Sequence, residues 1–194
     1  MELSARMKKL KVYLETTLFN YYFDEDRDAH ADTVALFEEC VAGRFEPYAS
    51  DYVIREIEDA PAEKRAKMLD LLKRYNITIL SASDDTDKLA ARYISEGALP
   101  LGSSVDASHI AAASVNALDM IVSLNFRHIV RDKTIEMTGA INILLGYTVI
   151  KIKAPMEVID VEKTRYHLGR DSRNTPQDRW ADKGHDRVWA NSLF

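Results

Sequence analysis

The chain contains a single cysteine among its 194 residues, so no disulfide can form within it. Cys40 falls at helical spacing among Val34, Leu36, Phe37 and Val41, which reads as a packed core thiol rather than a reactive one. Long apolar runs are also missing. No stretch reaches the roughly 18 residues that a membrane-crossing helix needs. The richest, INILLGYTVIKI, is interrupted by Gly146 and carries Lys151. The opening MELSARMKKLK lacks the apolar centre of a signal peptide. A cytoplasmic protein without a membrane segment is the expectation, with residues 1–9 as a leader and Met7 as an alternative start. An excess of basic charge is the third absence: 26 Lys and Arg stand against 31 Asp and Glu, a net charge of -5. That excludes a chain gripping nucleic acid by bulk electrostatics alone. A nuclease whose acidic site is neutralised by metal ions stays open.

The apolar content, 46%, is enough to bury one core. Short β-rich runs alternate with longer stretches of helical spacing. KVYLE, FEPYAS, ITIL, LDMIVSL and YTVIKI read as strands. DAHADTVALFEECVAG, DYVIREIEDA, AEKRAKMLDLLKRY, SDDTDKLAARYISEG, SVDASHIAAASVNA and DKTIEMTGAINILLG read as helices. Ser50 or Asp51 caps the second of these, and Gly43, Gly97 and Gly146 end three others. This alternation predicts a three-layer α/β/α domain with a central parallel sheet over residues 10–160. The pattern stops there. Residues 161–194 read as a polar tail, extended or partly disordered, although Trp180 and Trp189 are unusual in such a segment and point to docking.

In parallel α/β sheets, sites form beyond the carboxyl ends of the strands. Glu15 terminates the apolar run VYL at such an end, and Asn125 follows MIVSL at another. Asp106 opens the alanine-rich helix, and Glu56 lies on the helix after PYAS. If these ends converge, three carboxylates and an amide share a cleft. Such charges repel unless a cation lies between them. Mg²⁺ and Mn²⁺ favour sites of a few carboxylates and water. Asp119, at the start of its strand, reads as structural, and the run Asp24, Glu25, Asp26 as solvated loop. Tyr21, Tyr22 and Phe23 are candidates for stacking on unpaired bases.

VYLETTLFNYY, YASDYVIREIE, DASHIAAA and DMIVSLNFRHI together resemble, in order and spacing, the PIN domain, and within it the prokaryotic proteins related to VapC-type toxins. The resemblance spans residues 10 to 155. It implies a Mg²⁺- or Mn²⁺-dependent ribonuclease. Glu15, Glu56 and Asp106 would be metal ligands, and Asn125 would complete the catalytic set. Thr16, His109, Ser123, Arg127 and His128 would be candidates for contacting substrate. It also implies an RNA substrate, a cognate antitoxin and a homodimer. Two positions depart from the family pattern: Glu15 and Asn125 stand where the family usually has Asp. The departures keep a second reading open, a PIN fold weak or inactive in catalysis that serves binding or assembly. A phosphatase-like hydrolase ranks below both, because no Asp nucleophile motif follows the first strand.

Overall fold

The computed structural model describes residues 9–159. The proposed leader, apart from Lys9, and the tail lie outside the described residues. Five strands form one sheet: β1 (Leu10–Leu14), β2 (Phe45–Ser50), β3 (Thr78–Leu80), β4 (Met120–Val122) and β5 (Lys151–Lys153). Every pairing is parallel, in the order β3-β2-β1-β4-β5. Among the described residues seven α-helices flank it: α1 (Thr16–Tyr21), α2 (His30–Val41), α3 (Asp51–Glu58), α4 (Ala62–Arg74), α5 (Asp84–Ser95), α6 (Ser104–Val115) and α7 (Asp132–Leu145). This is the three-layer α/β/α architecture expected from the alternating pattern.

The central strand shows why the sheet is covered on both faces. Val12, Tyr13 and Leu14 point alternately to opposite sides, yet all three are fully buried. On the Tyr13 side lies α6, whose run of small residues, Ala107, Ala111, Ala112 and Ala113, is buried and lets backbone approach sheet. An aromatic group, in which the rings of Phe19, Tyr22 and Tyr75 surround Phe37 edge to face, fills another part of the core. Tyr22 therefore packs in the core rather than waiting for a base.

Local signals end the helices where the sequence places stops. Ser50 Oγ accepts from the backbone N–H of Tyr52 and caps α3, and Ser83 Oγ accepts from that of Thr86 and caps α5. Gly146 ends α7 with φ +78, a left-handed conformation that an L side chain adopts only with strain. The last two strands are shorter than their apolar runs: β4 and β5 have three residues each. Asp119, before β4, accepts from the Lys11 backbone N–H at 2.7 Å and so ties the amino-terminal ends of β1 and β4 together.

The chain winds outward from β1 through β2 to β3, then returns to the other side of β1 for β4 and β5. The winding direction reverses between β1 and β4. In open α/β sheets, the crevice beyond the carboxyl ends of strands at such a reversal is where ligands bind.

Candidate metal centre

Glu15 is the first residue past β1 and stands in this crevice. Only 3% of it is exposed. Its Oε2 accepts from Thr17 Oγ1 at 2.5 Å and from Ser123 Oγ, just past β4, at 2.8 Å. Thr17 Oγ1 also accepts from the Leu124 backbone N–H at 2.9 Å. Two hydroxyls thus fasten the ends of β1 and β4 around one carboxylate oxygen. Burial pushes the Glu15 carboxyl above the usual carboxylate range. The His109 imidazole and the two hydroxyls pull the other way, and Glu56 adds to the rise.

Glu56 enters from α3. That helix starts where β2 ends, so its second turn overlooks the same crevice. Glu56 Oε2 accepts from Thr16 Oγ1 and meets His109 Nε2 at 2.8 Å. Burial raises its carboxyl, but the His109 hydrogen bond and charge, with Thr16, outweigh that and hold it below the ordinary value. His109 comes from α6 and is 1% exposed. Its Nδ1 pairs with the Tyr13 hydroxyl at 2.7 Å, and that hydroxyl pairs with Ser50 Oγ at 2.5 Å. Burial lowers the imidazole's proton affinity, yet Glu56, Glu15 and Asp106 more than restore it and set it above its usual value.

One ligand atom from each of Glu15, Glu56 and His109 falls within 4.8 Å of the others. Ligands about 2.1 Å from one octahedral ion lie roughly 3 Å apart when adjacent and roughly 4.2 Å when opposite. The three groups therefore need only small side-chain movements to hold one cation. The buried Glu15 charge gives a reason for one to bind. Two carboxylates and an imidazole suit Mn²⁺ better than Mg²⁺, which strongly prefers oxygen.

Asp106 belongs to an adjoining group. Its Oδ1 accepts from Asn125 Nδ2 at 2.8 Å, and its Oδ2 meets His128 Nδ1 at 2.8 Å. Ser103 Oγ lies 3.0 Å from the same ring nitrogen. Asn125 Oδ1 accepts from the His128 backbone N–H, which also makes Asn125 the cap of its turn. Ser123 joins the two groups, donating to Glu15 while accepting from the Asn125 backbone N–H at 2.9 Å.

The crevice thus brings Glu15, Thr16, Glu56, His109 and Ser123 into one network. Asp106, Asn125 and His128 form a second network beside it, and Arg127 is exposed. Sequence reasoning passed over Tyr13 and Thr17, and it read Ser50 only as a helix cap, not as a partner of the Tyr13 hydroxyl. The signal for Tyr13 was its register: it shares a strand face with Glu15, two residues on. The signal for Thr17 was the paired hydroxyls directly after the carboxylate.

Fold and site together define a doubly wound parallel α/β/α domain with a carboxylate–imidazole cluster at its switch point. No protein-family model and no curated protein matches the chain. Among solved structures the chain is similar to VapBC2 from Rickettsia felis bound to a DNA fragment from its promoter. The identity is 13%, the match covers 75% of this chain and 98% of that one, and the TM-score is 0.49. It is also similar to VapC20 from Mycobacterium tuberculosis, a Sarcin-Ricin loop cleaving toxin. There the identity is 10%, the coverage 72% and 98%, and the TM-score 0.46. The chemistry of the site rests on the side chains described above.

Proposed function

We propose that this protein is a metal-dependent ribonuclease that hydrolyses phosphodiester bonds at the switch-point crevice. The observation that carries the reading is the convergence of Glu15, Glu56 and His109 within 4.8 Å, from three separate elements, where the winding reverses. A bound Mn²⁺ or Mg²⁺ would polarise a phosphoryl oxygen and acidify a water molecule. Glu15, Glu56 and His109 would hold it. Thr16, Thr17 and Ser123 orient the carboxylates, and Tyr13 orients the imidazole, as the outer partners of metal ligands do. Asp106, fixed by Asn125 and His128, faces the same region and adds negative charge that a cation offsets; this group is the proposed seat of water and substrate positioning. The choice of RNA is supported by the motif resemblance, which also supports an antitoxin partner and a homodimer. Among the described residues, no helix is long and apolar enough to cross a membrane.

One observation favours the second reading, a binding or assembly module. Asp106 is already engaged by Asn125 and His128, and His109 by Glu56 and Tyr13, so the polar groups satisfy one another without an ion. Calorimetric Mn²⁺ titration and cleavage of a mixed single-stranded RNA pool, with the parent and Glu15→Gln, separate the two. The nuclease reading expects Mn²⁺-dependent cleavage that Glu15→Gln abolishes, with Mn²⁺ affinity at least about tenfold weaker. Metal binding without cleavage supports the module. Mn²⁺ affinity unaffected by Glu15→Gln overturns the metal site.

A further inference from the structure

A cavity of about 350 Å³ opens beside the carboxylate cluster, and Phe126, Leu124, Tyr21, Arg27, Asp26 and Asp28 line it. It is one residue from the site on the β4 side, since the Leu124 backbone N–H is bonded to Thr17, which is bonded to Glu15. Phe126 is 57% exposed, a large apolar ring left in water directly after Asn125. Another part of the lining is already set. Arg27 lies over the Tyr21 ring, 4.6 Å from its centroid, and donates to the Tyr21 hydroxyl at 2.9 Å and to Asp24 at 2.6 Å.

We propose that this cavity is a subsite for one unpaired nucleobase of the RNA strand, stacked on Phe126 and facing the Tyr21–Arg27 wall. The proposal rests on the nuclease reading and names the substrate feature that the site takes. Three properties of the lining select the ligand. Aromatic and guanidinium planes stack on any base π-face. Asp26 and Asp28 accept hydrogen bonds from the N–H groups on a base edge but repel a phosphate. Arg27 is held by Asp24 and by the Tyr21 hydroxyl, so its guanidinium is a preset face against which a base can lie. The volume exceeds that of a single base, and bases within a duplex, stacked on their neighbours, cannot enter it.

The test uses the full chain and a fluorescein-labelled mixed-sequence RNA, as a short single strand and as the corresponding duplex. Anisotropy is read with Ca²⁺ replacing Mn²⁺, and gels check that the probe stays intact. Phe126→Ala is expected to weaken single-strand binding by about 5- to 100-fold and Phe126→Trp to retain it, with duplex affinity unchanged in both. Circular dichroism confirms folding, which an exposed side chain should not disturb. Single-strand affinity of Phe126→Ala within about twofold of the parent overturns the proposal, as does an equal loss on the duplex. Weakened capture of an arginine-rich peptide, with RNA binding intact, overturns it in favour of a protein partner. A parent that binds neither RNA form overturns this subsite together with the nuclease reading, whereas RNA binding that ignores Phe126 overturns the subsite alone.

Discussion

Replacing Tyr13 by Phe removes one buried oxygen and nothing else, so its consequence can be followed atom by atom. Burial holds the Tyr13 phenol well above its ordinary pKa, so the hydroxyl keeps its proton and serves as a neutral link between His109 Nδ1 and Ser50 Oγ. In Tyr13→Phe, Ser50 Oγ still has the Tyr52 backbone N–H at 3.3 Å. His109 Nδ1 has no substitute, and its residue is 1% exposed, so water cannot reach it without local opening. An unsatisfied buried polar atom costs about 1–3 kcal/mol. For a chain of this size each kcal/mol moves the melting temperature by about 2–4 °C, so a fall of roughly 4–8 °C is expected for a cost near 2 kcal/mol. The freed ring can also rotate, and loss of such an outer partner weakens metal binding by about 10- to 100-fold. Thermal unfolding and Mn²⁺ calorimetry of parent and variant measure the two effects. A variant as stable as the parent would refute the hydrogen-bond reasoning. A destabilised variant with unchanged Mn²⁺ affinity would make Tyr13 a packing residue without influence on the metal.

Asn125→Asp sets a second carboxylate against Asp106, whose Oδ1 is 2.8 Å from the present amide nitrogen. Stability in EDTA at neutral pH should fall by about 1–3 kcal/mol and Mn²⁺ should restore more of it than in the parent; denaturant curves with and without metal show whether it does. Glu15 has a folded pKa raised by burial. The stability contributed by its bound proton is therefore complete below the ordinary carboxylate value and lost as pH rises through the raised one. Glu15→Gln should accordingly melt higher than metal-free parent above that window and equally below it, as a pH series of melting curves would record. The Cys40 thiol is pushed up to about 12, first by burial and then by Glu39 and Glu38. At pH 8 it should react with iodoacetamide only as fast as the chain opens, and rapid labelling of the native protein would contradict its packing. Ending the chain at residue 160 should leave a cooperative domain, because Ile159 and Arg44, which bonds the Val158 carbonyl, already close its edge; loss of a sharp melting transition would assign the tail a structural part.

Much of this architecture is legible in the sequence because parallel strands buried on both faces leave unbroken apolar runs such as VYL. The carboxyl end of such a run can then be read directly, which is how Glu15 and Asn125 stood out. Strand lengths were harder. YTVIKI is apolar over most of its length, but only its last two residues, Lys151 and Ile152, followed by Lys153, have partners in the short β4. The division of the acidic residues between two networks was not legible either. Asp106 and His109, three positions apart on α6, share a broad helix face, and sequence spacing allows both to reach Glu15 and Glu56. The choice is made by neighbours far along the chain. Tyr13 and Glu56 take His109, while Asn125 and His128 take Asp106. Tyr13 was legible only through its register with Glu15, since the apolar pattern alone does not separate a buried tyrosine from other core residues.

The position of β1 between β2 and β4 has a consequence for biosynthesis. The bond that holds Glu15 to Ser123 spans 108 positions, and β4 ends only at Val122. At about 5–20 residues per second, a ribosome needs roughly 5–21 s to travel from Glu15 to that point. Through this interval the nascent chain can pair β1 with β2, and β2 with β3, but presents the other edge of β1 bare, with Glu15 lacking its Ser123 partner. The candidate ligands Glu15, Glu56 and His109 are all made before β4, but Glu15 gains the Ser123 hydroxyl that helps orient it only after most of the domain has been translated. The same bare edge is where a stalled or truncated product would be expected to self-associate.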